Sequence, residues 1–316
     1  PQTHAMWHRI APRLAARYTV VCTDLRGYGD SGKPGGGLRH VNYSKRAMAA
    51  DQVVVMRALG FPRFMLAGHD RGGRVAHRLC LDHPQAVEKV AVLDISPTRV
   101  MYGKTDKAFA SAYYHWFFLI QPFDLPERLI GADPVYYLRK KIGGWSGGID
   151  LFDPRALAEY ERCFRDPATV HATCEDYRAA AEIDLEHDDA DRDARIGCPL
   201  LALWGAKGVV NRLFDPIAER LADWRLADAE FVRDPGLDDT VARLERDQLD
   251  LGLVRDLGRG DTLNDSLRGT QSNGRGIDQR HKSDNRLVLC EGNVLIDAGP
   301  GGQLHGCRGD RGQVDR

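Results

Sequence analysis

No aromatic residue occurs after Phe231, although the chain runs on to Arg316. Aromatic side chains supply much of the buried area of folded cores, so a long stretch without them is expected to pack poorly. Asp, Arg, Gly and Leu dominate it in no sustained period, as in Arg255-Asp256-Leu257-Gly258-Arg259-Gly260-Asp261. Residues 237–316 are therefore expected to form an aberrant, disordered tail. A shift of reading frame would produce such a segment, and the encoding DNA would reveal it.

Charge of one sign is also missing. The formal net charge is −1, which argues against a nucleic-acid or anionic-membrane partner, since both call for a concentrated positive field. No apolar run approaches the length of a membrane span, and no secretory segment precedes residue 20. The seven cysteines form no CxxC pair and no metal-ligand spacing, and an odd number cannot all pair within the chain. They read as reduced thiols, and the expected compartment is the cytoplasm. The chain does not begin with methionine, which leaves a lost targeting segment open.

The first hundred residues alternate between strand and helix signals. Thr19-Val20-Val21-Cys22-Thr23 is a β-branched run ending at Asp24, and a glycine-rich loop follows through Gly32. Ser44 is placed to cap a helix reaching Leu59 and closed by Gly60. Phe64–Ala67 reads as the next buried strand, Arg74–His83 as a helix, and Val90–Leu93 as a third strand. This alternation predicts a parallel sheet covered on both faces. From about Thr98 to Ala190 the pattern turns helical, with pieces over Lys107–Ile120, Pro134–Ile142 and Pro154–Arg165. Pro199–Gly205 then resumes the sheet.

Gly68-His69-Asp70-Arg71-Gly72 lies between a predicted strand and a predicted helix. That is the context in which a G-x-nucleophile-x-G turn exposes one side chain at a sharp bend. Here the exposed side chain is Asp70. A carboxylate is already an anion at neutral pH, its reference pKa being about 3.9, and needs no base to attack. Displacement at a saturated carbon, as in a haloalkyl group or an epoxide, would leave an ester for water to hydrolyse. Arg71 beside it and Arg74 one turn further can both reach an anion at the helix N-terminus. For either alone, solvation of a helix surface is the simpler reading.

Asp24-Leu25-Arg26-Gly27-Tyr28-Gly29-Asp30-Ser31 and the stretch Gly68 to Arg78 together resemble the fluoroacetate dehalogenases of the α/β-hydrolase superfamily, over roughly residues 1 to 225. Superfamily members acting on epoxides or haloalkanes usually carry Trp after the nucleophile, where this chain has Arg71. The resemblance implies an α/β-hydrolase fold, mostly parallel sheet flanked by helices, with a helical cap, and incomplete at both ends. Residues 1–98 and 191–236 would form the core and 99–190 the cap. It implies that Asp70 is the nucleophile, that Arg71 and Arg74 bind the substrate carboxylate, and that Asp94 is the acidic triad member. His115, Trp116 and Tyr177 would receive the halide. Spacing alone reads Tyr113–Phe117 as an aromatic core face and Asp94 as a strand-end cap.

The implied reaction converts a short 2-haloacid such as fluoroacetate or chloroacetate to glycolate and halide, without metal or organic cofactor. A homodimer is left open. Two departures from the family bear on competence. Pro1-Gln2-Thr3-His4-Ala5-Met6-Trp7 resembles the stretch just after the family's His-Gly-Phe-Pro loop, so a gap in the sheet is expected. The triad histidine should follow the last strand, yet only His281 and His305 occur past residue 231, in contexts that do not match. No catalytic base is assigned, and a single self-alkylation is the expected limit. An epoxide hydrolase, using Tyr113, Tyr114 or Tyr177 to protonate the ring oxygen, and an inactive remnant or binding protein are the competing readings.

Overall fold

The computed structural model describes residues 1–205 and 208–214, together with strand segments 229–231, 286–290 and 294–295. After α1 (Ala11–Ala15) the β-branched run forms β1 (Thr19–Thr23), buried from Val20 onward. Helix α2 (Lys45–Ala58) starts where the Ser44 hydroxyl accepts the Ala47 N–H at 3.1 Å. Next come β2 (Phe64–His69), buried along its whole length, α3 (Asp70–Asp82) and β3 (Val87–Leu93).

A helical insertion follows. It comprises α4 (Thr98–Gly103), α5 (Lys107–Ala112), α6 (His115–Phe118), α7 (Leu125–Gly131), α8 (Pro134–Trp145), α9 (Pro154–Phe164), α10 (Pro167–Ala181) and α11 (Ile183–Ala190). An Asp-Pro pair opens three of these helices. Asp133, Asp153 and Asp166 each accept a backbone N–H of the first turn, and the proline at the first helical position gives up a donor that would have no partner. The sheet resumes with β4 (Leu200–Leu203), α12 (Val209–Leu213), β5 (Ala229–Phe231), β6 (Arg286–Cys290) and β7 (Val294–Leu295).

The sheet order is β5-β4-β3-β2-β6-β1-β7, and every pairing is parallel except β1 with β7. Alternate side chains feed two cores. Val20, Cys22, Met65, Ala67, Ala91 and Leu93 face the insertion and the N-terminal segment. Val21, Leu66, Val90 and Val92 face α2 and α3. A sheet buried on both sides explains why its strands read as continuous apolar runs.

Three expectations change. Helix α3 begins at Asp70 rather than Arg74, because the chain turns directly out of β2. The helix expected over Lys107–Ile120 breaks at Tyr113, whose ψ of 41° is not helical. The gap expected in the sheet is filled, since β6 pairs with β1 on one side and β2 on the other. The segments Arg286–Cys290 and Val294–Leu295 thus depart from the disordered tail expected beyond residue 236. The rest of that tail, with His281 and His305, lies outside the described residues. Among the described residues no helix is long and apolar enough to cross a membrane.

Candidate active site

Asp70 sits at the elbow between β2 and α3 with φ 43°, in the left-handed region that a non-glycine residue adopts at a cost. The bend is tight enough that a Cβ on Gly68 would lie 2.4 Å from the Gly72 carbonyl oxygen. Glycine at 68 is therefore a steric requirement of the turn. The bend aims the Asp70 carboxylate into a cavity of about 40 Å³ that Arg71, His115, Lys141, Trp145 and Tyr177 also line.

Arg71 is buried. Its guanidinium donates to both carboxylate oxygens of Asp176 at 2.7 Å and to the Asp176 carbonyl at 2.9 Å. It also lies 4.2 Å over the Tyr177 ring. Asp176, with no exposed surface, additionally accepts from the Tyr28 hydroxyl at 2.6 Å and from the Lys45 ammonium. Burial by itself would raise the Asp176 carboxyl, but Arg71 and Lys45 outweigh it and hold the group well below the usual carboxylate range. The conformation of Arg71 is thereby fixed, and the charge it shows the cavity is partly neutralised.

His115 is 2% exposed. Burial first, and Lys141 next, push its imidazole well below the ordinary value, so it is neutral near pH 7. Its Nδ1 has no hydrogen-bond partner among the described residues. Tyr177 stands edge-on to it, ring centroids 5.6 Å apart. Burial and the Asp70 charge raise the Tyr177 phenol well above its usual range, which keeps its O–H as a donor. A neutral imidazole and a phenol thus share one small space with the Asp70 carboxylate.

The remaining sequence-predicted residues do not line this cavity. Arg74 is buried and donates to the Ser96 carbonyl at 2.8 Å and the Thr98 hydroxyl at 3.1 Å, with its guanidinium 4.6 Å from the Trp116 ring. Trp116 packs edge-on to Tyr177 at 6.1 Å. Asp94 ends β3 with φ 53°, and its carboxylate accepts the Gly205 N–H at 3.4 Å. Both strand-end aspartates, 70 and 94, share the same unusual backbone region.

Three residues escaped the sequence reading. Asp176 sits in Cys174-Glu175-Asp176-Tyr177-Arg178, part of a helix buried nearly all round; charges in so buried a segment signal paired partners. Lys141 and Trp145 lie on α8, one turn apart, and only the fold turns that face inward. Among the described residues no group of three or more His, Cys, Asp or Glu is placed to hold a metal ion.

Comparison with known proteins agrees with this architecture. Residues 1–236 match the family model described as alpha/beta hydrolase fold. A fluoroacetate dehalogenase from Burkholderia sp is 50% identical over 256 residues, 79% of this chain and 84% of that protein. A soluble epoxide hydrolase from Corynebacterium sp. (strain C12) is 30% identical, covering 70% of this chain and 77% of the relative. The crystal structure of a Nostoc sp PCC 7120 protein, provisionally described as an α/β hydrolase, superposes with a TM-score of 0.72 at 60% identity, over 74% of this chain and 80% of that one. With an aspartate at the strand-to-helix elbow, a parallel sheet and a helical insertion, the chain belongs to the α/β-hydrolase fold family and is a hydrolase of the haloacetate dehalogenase type.

Proposed function

We propose that the chain displaces halide from a short 2-haloacid through an ester on Asp70. The observation that carries this reading is the meeting of Asp70, Arg71, His115 and Tyr177 on one cavity of about 40 Å³. One water needs roughly 10–15 Å³ on such a measure, so the space suits a substrate of a few heavy atoms. An Asp70 oxygen attacks the carbon bearing the halogen, the carbon–halogen pair leaves with the halide, and an ester forms. Arg71 binds the substrate carboxylate, and Arg74, one turn further along α3, adds a second positive charge. His115 and Tyr177 form the halide side, with Trp116 packed edge-on to Tyr177 behind them, and donors there matter most as charge develops on the leaving atom. Asp94 is the acidic member that would orient a base for ester hydrolysis; no residue is assigned as that base, and a single alkylation of Asp70 is the expected limit.

Residues 99–190 act as the cap over a core of 1–98 and 191–236. Cys80, Cys163, Cys174 and Cys198 form no disulfide among the described residues, which supports a reducing, cytoplasmic setting. Epoxide opening is the second reading, favoured by the buried phenol of Tyr177 beside Asp70 and by the 30% identity to a soluble epoxide hydrolase. The arginine beside the nucleophile and the small cavity favour the haloacid.

The test is halide release from fluoroacetate and chloroacetate, run beside styrene oxide hydrolysis, with intact-mass analysis of the protein. The expected result is halide release and one carboxymethyl adduct, both abolished by Asp70→Asn. Halide release undiminished in Asp70→Asn would sink the proposal, and styrene oxide turnover without halide release would install the epoxide reading.

A further inference from the structure

Lys141 is 6% exposed and lines the same cavity as Asp70. Among the described residues no carboxylate pairs with it. Its ammonium rests instead on two aromatic faces, 3.9 Å from the centre of the Tyr114 ring and 4.8 Å from that of Trp145. A cation–π pair offsets part of the desolvation of an ammonium and leaves its charge uncancelled. The contrast with Arg71 and Lys45 is direct, since both are bonded to Asp176. Lys141 also stands on the His115 side, for the Trp145 ring it covers is 4.9 Å from the imidazole.

We propose that Lys141 is the cation that receives the departing halide. The inference rests on the displacement reading above. In that step an Asp70 oxygen donates its electron pair to carbon, the carbon–halogen pair goes to the halogen, and one negative charge moves from the nucleophile to the far wall. His115 is neutral and Tyr177 offers only a dipole, so neither supplies a full charge to meet it. Lys141 does, in surroundings dry enough to strengthen the attraction. An ammonium is a compact point charge with three donors, matched to a spherical anion, whereas a guanidinium fork is matched to a carboxylate. This divides the labour, with Arg71 on the acid end and Lys141 on the halide end.

Burial brings the Lys141 ammonium down to about 8, so halide affinity should weaken as pH rises through that value. The charged and titratable groups facing it are Tyr114 just before α6, His115 on α6, Tyr137 on its own helix, Asp70 and Arg71 on α3, and Tyr177 on α10. An arginine at 141 stays charged throughout, so it separates Lys141 from the other titrating groups around the cavity.

The experiment titrates the full chain with sodium chloride and sodium bromide, following tryptophan fluorescence, in the unsubstituted protein, Lys141→Met and Lys141→Arg. Saturable binding is expected in the first, weakened about tenfold or more by Lys141→Met, the size expected for losing one charge-assisted contact. Lys141→Arg should keep binding and lose the pH dependence. Equal affinity in Lys141→Met, or the same fall with pH in Lys141→Arg, overturns the role of Lys141 while leaving the Asp70 adduct to stand. No saturable binding in the unsubstituted chain also overturns it, and the adduct assay then decides the displacement reading separately. Should Lys141→Met fail to fold, the pH series on the unsubstituted chain and Lys141→Arg decides by the same criteria.

Discussion

Asp70 and its neighbours were legible because their signal is local. A glycine-flanked acidic residue between a strand and a helix has few other uses, and Arg71 follows it in the chain. His115 and Tyr177 needed family resemblance, since an aromatic run looks like core until the Asp70 carboxylate is found opposite. Asp176 and Lys141 were not legible, because their meaning comes from partners far away in sequence, Arg71 and Lys45 for the first, Tyr114 and Trp145 for the second. The buried imidazole of His115 makes a testable statement about stability. Its folded pKa is pushed down, so below about pH 6.5 the unfolded chain takes up a proton that the folded chain refuses. This contribution is complete above that value and is lost as pH falls toward the folded pKa, by at most about 1.4 kcal/mol per pH unit. Urea denaturation between pH 5 and pH 8 should show His115→Gln with a shallower acid-side slope than the unsubstituted chain. Identical slopes would mean that the ring is not held neutral.

At the level of elements, most strands and helices of the core were readable, and the failures have one cause. The sequence pattern reports which face of a segment is apolar, and says less about where a tight turn lets a helix begin. Helix α3 begins four residues earlier than periodicity suggested, because the glycines that weaken a helix signal are what permit the turn. Helix α10 offers the opposite lesson: buried nearly all round, it has no polar face to set a period. The elbow is where backbone geometry is least forgiving. A Cβ on Gly68 would meet the carbonyl of Gly72 at 2.4 Å, and backbone on both sides cannot yield as a flexible side chain would. Gly68→Ala should therefore cost about 2 kcal/mol or more in urea denaturation and lose Asp70 alkylation by chloroacetate even where the protein is still folded. Wild-type stability in Gly68→Ala would show that the turn is looser than its φ and contacts indicate.

For the molecule as a whole, the decisive feature is a strand that the sequence did not recommend. Read alone, Arg286–Cys290 lies in a region without aromatic anchors, and nothing local distinguishes it as central. Its placement answers a demand set elsewhere: β1 and β2 stand two strand spacings apart, and each presents a row of backbone donors and acceptors that needs a partner. β6 pairs with both, Val288 lying between Val21 on one side and Leu66 on the other. A long-range requirement of this kind is invisible to any window of sequence. Proline tests it through the backbone, since it removes an N–H and fits only at sheet edges or bulges. Val288→Pro should abolish the cooperative thermal transition or lower stability by more than about 2 kcal/mol, with loss of the Asp70 adduct, because the elbow that presents Asp70 follows directly from β2. Were residues 286–290 peripheral, the substitution would leave the melting temperature and the adduct unchanged, and the order β2-β6-β1 would have to be abandoned.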